Sequence, residues 1–142
     1  MKILDMECAG VGNEIADKVF EIFRDKNKTE TLITKSLGVL QEDGIYASLL
    51  YLESQGKENP DGTKTPEKQA AEAIRKLNYR LLQQNIPEGL LAEEKNALAE
   101  IRNKLSNNLD ALFLAKELLE RTLVYARYHA KALGSNSNED GA

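Results

Sequence analysis

Leu4, Cys8, Val11, Ile15, Val19, Ile22 and Phe23 recur three or four positions apart, the interval at which side chains share one face of a helix. This spacing predicts a first helix from Ile3 to about Asp25. Gly10 and Gly12 are expected to loosen its opening turns, because an interior glycine costs about 1 kcal/mol relative to alanine. Leu32, Ile33, Leu37 and Leu40 mark a second helix from about Thr29 to Glu42, and Gly44 stands where a left-handed C-terminal cap belongs. Between Ile45 and Gln55 apolar residues occur nearly all the way round, so the third helix is expected to be the most buried.

Lys57 to Thr65 is polar, and Asn59-Pro60-Asp61-Gly62 carries Pro and Gly where a type I turn favours them. Thr65 then reads as an N-cap and Pro66 as the first residue of a fourth helix running to about Gln84. Ile86-Pro87-Glu88 opens a fifth, with Leu91, Leu98 and Leu105 at intervals of seven and with Arg102 and Lys104 near its end. Asn107 and Asn108 are placed to cap a last helix through Leu133, and Gly134 to Ala142 has nothing to bury and reads as a disordered tail. No stretch alternates as a strand does. The chain thus reads as all-α: a single-domain helical bundle of about six helices over residues 1–133, followed by a tail at 134–142.

Composition agrees with one core: 142 residues, 42% hydrophobic and 30% charged, with no Trp. Cys8 is the only cysteine, which excludes an intrachain disulfide and fits a cytoplasmic setting. The N-terminal stretch is interrupted by Asp5 and Glu7, unlike a secretory leader. The longest apolar run, about eight residues around Ile45 to Leu52, falls short of the ~20 a membrane span needs. Net charge is −4, from 19 Lys and Arg against 23 Asp and Glu, so any contact with nucleic acid must be local.

Chemistry is sparse. His129 is the only histidine, and Ala126 stands where a Glu-x-x-His metal motif needs its carboxylate, so no metal or cofactor is expected. Cys8 sits on an apolar face, and Gly10-Val11-Gly12 lacks the Lys-Thr of a phosphate loop. Glu93 and Glu94 fall in a first helical turn, where the dipole accounts for them. The second and third helices could suggest a DNA-reading pair, but no Lys or Arg lies between Ile45 and Gln55. No enzyme is expected.

Basic residues do align. Taking Lys116 as zero on the last helix, Arg127 falls at about 20° and Lys131 at about 60°, a stripe set opposite an apolar arc of Leu114, Leu119 and Leu123. Glu120 interrupts it, so a solvated face with ion pairs such as Glu117 to Arg121 competes with a phosphate track. Arg24, Lys26 and Lys28 cluster where the first helix ends, which dipole compensation would explain. Arg75, Lys76 and Arg80 are open to either reading.

The run Leu37-Gly38-Val39-Leu40-Gln41-Glu42-Asp43-Gly44-Ile45-Tyr46-Ala47-Ser48-Leu49-Leu50-Tyr51-Leu52-Glu53-Ser54 resembles the central signature of the small subunit of type III-B CRISPR effector complexes. In that family a helix ends in a polar residue, then Gly and an aliphatic residue, then a buried helix closing on an aliphatic-aromatic-Leu run. Residues Leu123 to Leu133 are similar to the family's closing aromatic and basic helix. Asp43 replaces a commoner Asn, Tyr51 a Phe and Tyr125 a Trp, each keeping the physical role. The resemblance implies a non-catalytic subunit of an antiviral ribonucleoprotein. Self-stacking copies would lie along the backbone, beside the other effector subunits, and basic helix faces would follow guide RNA and target RNA. On that expectation Lys116, Arg127 and Lys131 are the first RNA-binding candidates, followed by Lys35, Arg75 and Arg80, chosen from face geometry and not from the family motif. The competing expectation is a free-standing helical adaptor that binds another protein and no nucleic acid.

Overall fold

A computed structural model describes residues 4–86 and 108–141, together with Ala99 and Arg102, with side chains described as far as Leu133. Five helices occur among these residues: α1 (Leu4–Phe23), α2 (Lys26–Asp43), α3 (Ile45–Ser54), α4 (Pro66–Asn85) and α5 (Leu109–Gly141). The protein is all-α. The helix expected after Pro87 lies outside the described residues, and the only extended pairing among them is the isolated bridge between Glu58 and Lys64.

Each boundary has a local cause. Thr65 accepts a hydrogen bond from the Lys68 amide at 3.3 Å, with Pro66 behind it in the first turn of α4. The Asn108 side chain accepts from the Ala111 amide at 3.0 Å and so starts α5. Gly44 adopts φ 94°, a conformation that costs glycine nothing, and its amide donates to the Leu40 carbonyl at 3.1 Å to close α2. The Asn59–Gly62 turn forms as its residues predict, with the Gly62 amide donating to the Asn59 carbonyl at 2.9 Å.

Two boundaries differ from expectation. Arg24 takes a left-handed φ of 53° and ends α1; Asp25 then accepts from the Lys28 amide at 3.0 Å, so α2 begins at Lys26 and not near Thr29. The polar run Lys26-Asn27-Lys28 carries no apolar periodicity to announce a helix, and the cap does so instead. At the far end, the backbone of α5 is helical through Gly141 where composition predicts an irregular tail. A helix once nucleated extends at little cost, and the last core residue described on α5 is Ala130.

α1 packs most extensively on α5 and, on another side, on α4; α2 also lies against α5, and α3 bridges α2 and α4. The core gathers Ile15, Ile33, Leu40, Leu49, Ile74, Leu82 and Leu119, all buried. α1 is continuous through Gly10 and Gly12, contrary to the irregular start expected of it. Gly12 is buried against α5, where the backbone at Thr122 and Ala126 comes so close that no side chain fits between. Buried hydroxyls are satisfied within their own helices: Thr29 donates to the Asp25 carbonyl and Ser36 to the Leu32 carbonyl, both at 2.8 Å.

Candidate nucleic-acid interface

The basic stripe of α5 stands partly beside the core and partly opposite it. Ala111, Ala115, Leu118, Leu119, Thr122, Leu123, Ala126 and Ala130 are the buried positions, and Leu123 lies beside Lys116 on the helical wheel, at about −20°. Lys116 and Arg127, at 0° and about 20°, therefore flank the buried face, whereas Lys131, at about 60°, stands nearly opposite its centre.

Position on the helix decides what these side chains do. Lys116 pairs with Glu120 at 3.9 Å, one turn along the same helix. Arg127 is half-buried: its guanidinium sits 5.6 Å from the centre of the Tyr128 ring, and its Nε is shielded from water without a hydrogen-bond partner. Lys131 is exposed. The α4 candidates are engaged with neighbours in different directions, Arg75 with Glu53 of α3 at 3.7 Å and Arg80 with Glu14 of α1 at 2.9 Å. Only Lys35 of the six is exposed on α2, and the structure does not gather the set into one track.

Ion pairs between helices consume much of the remaining surface charge. Arg121 bridges Asp5 of α1 and Glu117 of its own helix, each at 3.1 Å, and the Tyr125 hydroxyl donates to the other Asp5 oxygen at 2.7 Å. That hydrogen bond to a carboxylate pushes the Tyr125 phenol above its ordinary value. His129 bridges α5 to Asp17 of α1 at 2.9 Å, an inter-helix tie where an isolated surface imidazole was expected. The sequence offers no sign of the partners that α1 contributes, Asp5 and Asp17, since each lies more than 100 residues from the side chain it meets.

The row missed by face geometry is on α2. Lys26 and Lys28 belong to the first turn of this helix and not to the last turn of α1, so they stand at the positive end of a dipole, where cations are disfavoured. Dipole compensation thus fails as their explanation. Lys28 and Lys35 lie seven residues apart and share a face. Neither these two nor Lys26 has an ion-pair partner among the described residues. The signal available in advance was Asp25, an N-cap residue in front of them.

Cys8 is fully buried, its Sγ 3.6 Å from the Leu118 carbonyl, and burial pushes the thiol up. Among the described residues no cluster of His, Cys, Asp and Glu is arranged to hold a metal ion, and no helix is long and apolar enough to cross a membrane. Neither a family model, nor a curated protein, nor a solved structure matches the chain.

Proposed function

We propose that this chain is a non-catalytic small subunit of a type III CRISPR ribonucleoprotein effector, of the III-B kind, that works in the cytoplasm in antiviral defence. Its copies stack along the complex backbone, against the backbone and large subunits, and touch guide and target RNA through basic helix faces. The observation that carries this reading is the segment Leu37 to Ser54. It holds the residues that resemble the family signature, and it folds as a helix, a glycine corner and a second helix that turns Ile45, Ser48, Leu49 and Leu52 inward. Phosphate contacts by such a subunit position the RNA strand and carry no sequence information, because base pairing with the guide does the reading.

The test is co-purification of the tagged chain from its native host, with nuclease treatment and mass spectrometry of what remains bound. Recovery of backbone and large effector subunits with short guide RNA is the expected result. Recovery of the chain alone, or with one unrelated protein and no RNA, overturns it and favours the helical adaptor. Two exposed apolar pairs speak for that second reading: Tyr46 with Leu50 on α3, and Leu109 with Phe113 on α5, each one turn apart. Stacked copies would need such faces as well.

A further inference from the structure

We infer that the groove between the end of α1, the first half of α2 and the end of α3 binds single-stranded RNA, with a base against Tyr51 and Phe23 and the backbone on Lys28 and Lys35. The inference deepens the reading above and rests on it for the choice of RNA over another polyanion.

Four observations converge on the groove. Its volume is about 290 Å³, at the low end of the ~300–1,000 Å³ typical of ligand pockets, which suits one base and its sugar better than a folded partner. Two half-buried aromatic side chains, Phe23 and Tyr51, line it. Every base has a π-face, so such rings accept any sequence. Lys28 and Lys35 line the same groove without an ion-pair partner among the described residues, unlike Lys116, Arg75 and Arg80, whose charge is already met by a carboxylate. Asn27 and Gln55 add amide donors and acceptors able to meet base edges or a 2′-hydroxyl.

Geometry and electrostatics fit a strand. Seven residues of helix separate the two lysines by about 10.5 Å along the axis, close to three steps of a stacked strand at about 3.4 Å each. The positive end of α2 adds to their field, and it is the anion that would relieve the otherwise unfavourable placement of Lys26 and Lys28 in its first turn. Glu67 is the one carboxylate on the groove wall, at the α4 side, facing α2 across the opening. Leu32 forms the buried floor.

The test uses the purified full chain and a fluorescently labelled ten-nucleotide oligouridylate, with anisotropy read over a series of salt concentrations. Lys28→Glu with Lys35→Glu is expected to weaken binding at least tenfold. It should also flatten the slope of log affinity against log salt by about 1.4, at ~0.7 for each single-strand phosphate that is no longer neutralised. Tyr51→Leu keeps an apolar side chain against the core and is expected to weaken binding about tenfold with the slope unchanged, since stacking is not ionic. Lys116→Glu with Lys131→Glu alters net charge equally and is expected to cost less than threefold. Far-ultraviolet circular dichroism checks that each variant is folded. The groove proposal is overturned if the wild type does not bind, if an RNA duplex binds as tightly as the single strand, or if the α5 pair matters more than the α2 pair. None of these results touches the assembly reading, which the co-purification decides separately.

Discussion

Gly12 of α1 lies so close to Thr122 of α5 that a Cβ placed on it would stand 2.6 Å from the Thr122 carbonyl oxygen and 2.9 Å from the Ala126 amide nitrogen. Both atoms are backbone, so neither can swing aside. A methyl group there forces the two helices apart along the most extensive packing in the molecule. Gly12→Ala is therefore expected to lower stability by about 1–3 kcal/mol in urea unfolding, despite the gain in helix propensity. Gly10, two residues earlier and exposed on the other side of α1, has nothing within 4 Å of its Cβ direction, and Gly10→Ala is expected to raise stability by about 0.5–1 kcal/mol. Equal effects from the two substitutions would refute the close-crossing account.

Asn78 on α4 is 1% exposed, and neither its amide nitrogen nor its amide oxygen has a hydrogen-bond partner. A buried amide left unpaired costs about 1–3 kcal/mol. Asn78→Leu, close in volume and apolar, is expected to raise the unfolding free energy by that amount. A loss of stability would mean that the amide is satisfied by an ordered water.

Burial raises the Cys8 thiol above the ordinary value of 9.0. The folded state then holds its proton where the unfolded chain has lost it, so this contribution is complete below the ordinary thiol range and is lost as pH rises through the folded value. Wild-type stability is expected to fall on the alkaline side of pH 9 more steeply than that of Cys8→Ala, compared by denaturant titration across that range. In native buffer a thiol reagent should modify Cys8 only at the rate of unfolding.

The hydrogen bond from Tyr125 to Asp5 holds the phenol above its ordinary 10.0. Asp5→Asn removes the carboxylate charge and is expected to bring the Tyr125 titration back toward that value, read from tyrosinate absorbance. No change in the titration would mean that the two side chains do not meet in solution.

Much of the scaffold is legible from residue pattern because its causes are local. Thr65 and Asn108 announce their helices by capping and Gly44 by the positive φ that suits glycine, whereas α3, expected from its apolar residues to be the most buried helix, leaves Tyr46 and Leu50 exposed. Tertiary causes are not legible in this way. Gly12 looks like a weak point in a helix until α5 is laid against it. On α5 the leucine spacing finds the buried side, but not that Lys116 and Arg127 flank it, nor that Ala126 is the residue set against Gly12. Arg75 and Arg80 have carboxylate partners contributed by other helices, so their availability is decided by packing. The lysine row of α2 was within reach, had Asp25 been read as the start of that helix.

Gly44 closes α2 with its amide and opens α3 with its carbonyl, which accepts from the Ser48 amide at 3.1 Å. The two helices thus share one residue and have fixed rotational phase, like meshed gears. Adding a single residue at this corner would turn α3 by about 100°, carrying Leu49 and Leu52 out of the core and Tyr51 toward it. Length variation here is all but forbidden. The turn at Asn59–Gly62, held by its own hydrogen bonds, is where the chain can grow without disturbing the helices around it.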